Sequence, residues 1–386
     1  MVYDCGTSYS LALAKSVVRQ AFSKEDTIDI LFISHLDWDH VSLIPTLKES
    51  VKKIRHVVLP HVDDHDRFLV SLACQNKEQD KLISTILQIL VFPEQYFGEE
   101  TKIWRIGQSE GGMETEQGRD TMDLDQANNS KYIPSGRRIS LTGIMHWCYI
   151  PFNYYSPCQF QKKIGEALNS NKAFQDGFKR LLGRDKVSTD DVLQILCDPN
   201  LVNKIINDEP LRKMLQGIYD RLEGRINAHS LVLYSGPMAG CRGIQDANRI
   251  LSKNIYFDPK CFFNIYDWEN IIYYGRDIIY SDLYNRVACI YNGDSNYSEN
   301  KLKNGLRDLW EYVGTIQVAH HGSRKSHDFN CFDESWFLCP VSFGKSNNYG
   351  HPSMKVMSDL LSKRRIPIFI TEDLDSGVIQ VIHYTG

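Results

Sequence analysis

The chain has 386 residues, 42% apolar and 24% charged, a globular balance that excludes wholesale disorder, collagen-like repeats and coiled-coil rods. Lys and Arg number 44 against 48 Asp and Glu, a formal net charge of −4, so no global basic field advertises nucleic acid, and a polyanion would need a local patch or a metal. No apolar run reaches bilayer length, the N-terminal segment MVYDCGTSYS has no leader character, and the 10 cysteines include no CxxC pair; the expectation is a cytoplasmic protein with reduced thiols and no membrane association.

In chain order, VYDCGTS reads as a short strand ending in a turn, and SLALAKSVVRQAF has the apolar spacing of a helix leaning on a sheet. TIDILFIS is a buried-strand run that stops at SHLDWDH; a helix, SLIPTLKESVKK, and a strand, IRHVVLP, follow. Alternating strands and helices predict an α/β layered domain. Residues 66–92 read as one or two helices, 94–131 as a long polar loop, 137–152 as strand-like, and 158–224 as almost wholly helical with Ser188, Thr189 and Asp190 placed to cap. Residues 66–224 are therefore expected to be a mostly helical insertion between two halves of one domain, 1–65 and 225–386. Strands return in SLVLYS, VACIYNGDS, TIQVAHHGS, WFLCPVSFG, IPIFIT and GVIQVIHY, interleaved with helical LKNGLRDLWEYV and MKVMSDLLSKRR. The second half thus mirrors the first, as two αβ halves packed sheet on sheet.

The densest chemistry is His35-Leu36-Asp37-Trp38-Asp39-His40, directly after a buried strand. Four donors in six residues on a loop leaving a strand can converge on one divalent ion or two. Three further motifs end later strands: Gly293-Asp294, His320-His321-Gly322-Ser323 and Gly350-His351-Pro352. Strand ends are where a sheet fixes the position of loops that are free to vary.

Through Asp4 after the first strand, the HxDxDH form of the HxHxDH motif at His35 to His40, and the later Asp294, the sequence resembles the metallo-β-lactamase superfamily. More closely it resembles the β-lactamase-like domain of ComEC-type DNA-uptake proteins, in the order SHLDWDH, NAHSLVL, NGD, VAHHGS and NNYGHPS. It has none of that family's membrane segments. The resemblance covers about residues 1–60 and 226–386 and implies an αββα four-layer sandwich and a two-metal hydrolase. It implies His35 and Asp37 on the first metal, Asp39 and His40 on the second, Asp294 bridging, and His320 or His321 completing a shell, with Asp39 and Asp294 as catalytic carboxylates. His229 is the one candidate for a mid-chain histidine ligand, or equally a surface residue at a strand start. Two divalent ions are expected, Mn²⁺ or Zn²⁺ with Mg²⁺ admitted; Asp37 enriches the site in oxygen donors, which makes the harder Mn²⁺ or Mg²⁺ more plausible than in an all-histidine zinc site. Ser323, Arg324 and Lys325 could position a phosphate, Arg324 and Lys325 being equally readable as an exposed basic loop, and Asn348 and His351 would bind it or protonate the leaving oxygen.

Two weaker features have bland alternatives. His61-Val62-Asp63-Asp64-His65-Asp66 is a second metal cluster or a helix cap, and the aromatic run at 256–275 is a base-stacking track or core. Three functions follow: a metal-dependent nuclease acting on DNA; a small-molecule hydrolase for a cyclic nucleotide, thioester or lactone; or a subunit of an assembly against mobile DNA, its helical insertion docking a partner such as an ATPase.

Overall fold

The computed structural model describes residues 1–8, 10–61, 88–89, 92–108, 121–127, 132–144, 146–153, 172–183, 208, 210, 230–241, 244–251, 283, 285–296, 298–330, 335–373 and 376–384. The chain divides into two compact units, Met1–Ser8 with Val18–Arg105 and Tyr155–His229, and Tyr9–Val17 with Ile106–Tyr154 and Ser230–Gly386. Residues 106–154 thus fold with the C-terminal half.

In the first unit the strands run in the order β1 (Val2–Tyr3), β2 (Thr27–Phe32), β3 (Lys53–Pro60) and β4 (Lys102–Ile106), with β1, β2 and β3 parallel. A parallel strand covered on both faces reads as an unbroken apolar run, and Ile30, Leu31, Phe32 and Ile33 are all fully buried. Helix α1 (Leu11–Ala21) precedes β2; α2 (Trp38–Val41) and α3 (Ile44–Ser50) lie between β2 and β3. Pro45 falls in the first turn of α3, where its missing N–H leaves no helical bond unmade.

The larger sheet lies in the second unit, in the order β14-β13-β12-β11-β9-β8-β7-β5. Its strands are β5 (Met122–Asp123), β7 (Ile139–Ser140), β8 (Trp147–Asn153), β9 (Leu231–Pro237), β11 (Ala288–Tyr291), β12 (Val313–Ile316), β13 (Phe337–Ser342) and β14 (Arg365–Ile370), and a short β6 (Tyr132–Ile133) precedes β7 in the chain. Strands β11 to β14 are parallel; β9 is antiparallel to both β11 and β8. A separate antiparallel ribbon joins β10 (Ile244–Leu251) to β15 (Val378–Tyr384).

Alternation along β13 sorts the two faces of the sheet. Phe337, Cys339 and Val341 enter the main core with Leu302 and Leu306 of α6 (Glu299–Leu306), Trp310, and Val356, Met357 and Leu360 of α7 (Met354–Ser362), whereas Leu338 packs on the other side with Ile366 and Ile368. Arg365 at the start of β14 is buried and donates to Glu299 in the first turn of α6 at 2.6 Å.

The expected loop at 94–131 is corrected. It contains most of α4 (Pro93–Phe97), β4 and β5. Ile103, Trp104 and Ile106 are buried, Trp104 donates to His56 at 3.1 Å, and Arg105 forks onto Glu94 at 3.0 and 3.3 Å. A five-residue strand set in acidic, glycine-containing sequence is diluted in any window long enough to show periodicity.

Within 66–224 the described residues thus include strands β4 to β8, and β8 pairs with β9 along all seven residues. Apart from α5 (Lys172–Leu182), the helices expected at 66–92 and 158–224 lie almost wholly outside the described residues. Among the described residues no helix is long and apolar enough to cross a membrane.

Candidate metal centre

Strand β1 delivers Asp4 beside the end of β2, where the Asp4 N–H donates to Phe32 O at 2.9 Å and the backbone takes a left-handed φ of 55°. A carboxylate only accepts hydrogen bonds. Asp4 Oδ1 accepts from the Ser34 N–H at 2.7 Å, and Oδ2 accepts both the Ser34 hydroxyl at 2.6 Å and His40 Nδ1 at 2.8 Å. His40 therefore carries its proton on Nδ1. The Ser34 hydroxyl has spent its one proton on Asp4, so its 2.9 Å contact with His35 Nδ1 is a bond that His35 donates. In the neutral ring both buried histidines are thus Nδ1–H tautomers with the lone pair on Nε2, the arrangement by which outer partners orient metal-binding imidazoles.

The two rings lie 4.0 Å apart, and Asp37 Oδ2 is 3.7 Å from His35 Nε2. Asp37 stands at the N-cap of α2, yet its side chain makes no capping bond. The segment is clamped from below by Cys5 N–H to His40 O at 2.8 Å and Leu43 N–H to Cys5 O at 3.0 Å. Gly6 permits this approach: a Cβ there would come within 2.5 Å of the His40 and Val41 backbone.

In the second unit, β11 runs into Asn292-Gly293-Asp294. The Asp294 carboxylate is buried, and its N–H donates to Ser230 Oγ at 3.1 Å. Asn292 is tied to Gln317 through its own N–H at 3.0 Å and through its side-chain amide. The His320 N–H donates to Gly293 O at 2.9 Å, and His320 Nε2 stands 3.5 Å from Asp294 Oδ2.

His320 and His321 are consecutive left-handed residues, at φ 49° and 56°, a conformation non-glycine residues rarely hold without surrounding constraint. His321 Nδ1 donates to Ser342 O at 2.7 Å, which places its lone pair on Nε2; His320 Nδ1 meets Ser326 Oγ at 3.1 Å. Both candidates for the later histidine ligand are therefore anchored through Nδ1. Gly322, at φ 79°, lies against Pro352, which a Cβ would approach to 2.8 Å.

His351 lies edge-on to His320 with ring centroids 5.7 Å apart. Burial, followed by the His320 and His321 charges, lowers its pKa, while Asp294 pulls the other way. Ser323 is buried, and Arg324, Lys325 and Asn348 are exposed. It is Asn347 that shapes the loop, accepting from the His351 N–H at 3.1 Å and donating to Gly344 O and His351 O, both at 2.7 Å.

Ser34, Ser326 and Asn347 are contributors that sequence reasoning missed; the only signal for Ser34 was its place before His35. His229, residues 62–66 and the aromatic run at 256–275 lie outside the described residues.

The donor set, neutral imidazole nitrogens together with carboxylates, fits a borderline or hard divalent cation. His35, Asp39, His40, Asp294 and His321 each offer an atom able to bind one. Residues 1–116 match the family model of the metallo-beta-lactamase superfamily. The match takes in Asp4 and the whole His35–His40 segment, and the mixed α/β architecture is consistent with the metallo-β-lactamase fold. That superfamily is generally hydrolytic and usually binds divalent metals, which supports an enzyme. No curated protein and no solved structure gives a significant match.

Proposed function

We propose that the protein is a metal-dependent phosphodiesterase that hydrolyses DNA, as the likeness to the ComEC-type domain implies. The observation that carries the reading is the anchoring of the rings, since His35, His40 and His321 each donate the Nδ1–H to an acceptor, which orients Nε2 as the ligating atom. In this reading His35, Asp37, Asp39 and His40 serve as metal ligands in the first unit, and Asp294 with His320 or His321 as metal ligands in the second. Divalent ions held there would supply Lewis acidity and would lower the pKa of water.

The remaining work belongs to the chain. Asp4 and Ser34 accept the Nδ1–H of the two early histidines and so orient their rings. Ser323 and His351 offer hydrogen bonds to the scissile phosphate, and the exposed Arg324 and Lys325 supply positive charge where the net charge of −4 supplies none.

That same negative balance favours a second reading, a hydrolase of small phosphodiesters such as cyclic nucleotides. Metal-stripped protein resupplied with Mn²⁺, Mg²⁺ or Zn²⁺ separates the two on end-labelled single-stranded and duplex DNA, beside an Asp39→Ala control. Cleavage that disappears in the variant supports the nuclease reading. Intact DNA together with hydrolysis of a cyclic dinucleotide moves the assignment to small substrates.

A further inference from the structure

We infer that Tyr349 is a stacking platform for a nucleobase flanking the scissile phosphate. For the class of ligand the inference rests on the phosphodiesterase reading.

Tyr349 is 77% exposed, the most exposed large apolar side chain among the described residues. Its ring is nearly parallel to that of His351, at 19° and 6.4 Å between centroids. His351 is in turn edge-on to His320, whose Nε2 stands 3.5 Å from Asp294. One series of rings therefore leads from the buried carboxylate to an open aromatic face.

The platform is held in place rather than trailing in solvent. Asn347 closes the loop on both sides of Tyr349, bonding Gly344 and both backbone groups of His351. A loop whose backbone is already held loses little conformational entropy when a ligand arrives. Met354, at the start of α7, is 55% exposed and adds a second apolar surface close by in the chain.

Arg324 and Lys325 are exposed three and four residues beyond His321, and neither pairs with a carboxylate among the described residues. Lys345, by contrast, is engaged by Asp373. An open ring together with exposed cations is the combination that binds single-stranded nucleic acid, rings stacking on bases and cations tracking phosphates.

The test is fluorescence anisotropy with the full chain and chelated metal, using 5′-labelled decathymidylate and an abasic decamer of the same length. Wild-type protein should bind the thymidylate roughly tenfold more tightly than the abasic strand. Tyr349→Ala should erase that preference while Tyr349→Phe keeps it, and Arg324→Ala should weaken both probes alike. Equal or absent binding of the two probes by wild type, or a preference that survives Tyr349→Ala, overturns the platform. Cleavage is read separately with metal restored: no cleavage with the preference intact loses only the phosphodiesterase reading, and cleavage without the preference loses only the platform.

Discussion

Ser34 gives its single hydroxyl proton to Asp4, and the direction of the relay through His35 follows from that bond. Ser34→Ala should therefore lower metal affinity roughly 10- to 100-fold, as loss of outer partners does elsewhere. Competition of Mn²⁺ or Zn²⁺ against a chromophoric chelator measures it, and Ser34→Thr, which keeps the hydroxyl, should restore most of the loss. Cys148 makes a prediction of another kind. Burial pushes its thiol up from 9.0 to about 12, so the folded chain holds this proton where the unfolded chain releases it. The sign follows: stability falls as pH rises past the ordinary thiol range. Urea midpoints at pH 8 and pH 10 should differ less in Cys148→Ala than in wild type, and iodoacetamide at pH 8 should leave native Cys148 unmodified. At this scale the clustering of donor side chains in HLDWDH and NGD is plain in the sequence. The sequence did not show that Ser34 links Asp4 to the His35 imidazole, because a hydroxyl's role depends on which acceptor the fold brings to it. Nor did it separate Asn347 from Asn348, whose side chains differ here only by the loop's path.

The element carrying Asp39 and His40 is held by backbone contacts, so its weak point is Gly6 rather than a side chain. Gly6→Ala should displace α2 and destabilise the fold by about 1–3 kcal/mol, as overpacking of a tight contact does; thermal melting with and without Mn²⁺ would show both losses. The junction of α6 and β14 depends on the buried Glu299–Arg365 pair. Removing either partner alone, as Glu299→Gln or Arg365→Met, should cost about 3–5 kcal/mol by stranding the other charge, and the double variant should lose less than the sum in urea titrations. Most elements were legible, since runs such as TIDILF and FLCPVS are long, apolar and bounded by turns. Strand β4 was not, because KIWRI is short and its neighbours are acidic. The partnership of β8 with β9 was not either: the strands are 77 residues apart, and no local period encodes a distant neighbour.

For the whole molecule, ligand binding to the folded state alone raises stability by mass action, about 2.7 kcal/mol at a hundredfold excess over the dissociation constant. Mn²⁺ added to stripped protein should raise the melting temperature by several degrees in calorimetry, and Asp39→Ala should remove most of the rise. The absence of any shift with Mn²⁺, Zn²⁺ or Mg²⁺ would end the metal reading. The left-handed pair at His320 and His321 bears on the same balance from the opposite side. Each residue holds a conformation that costs an ordinary side chain about 1–2 kcal/mol and glycine almost nothing. Glycine's greater freedom in the unfolded chain returns only about 0.4–1 kcal/mol of that. A library screened for heat resistance alone will therefore drift toward glycine at two adjacent positions, discarding its histidines as it improves.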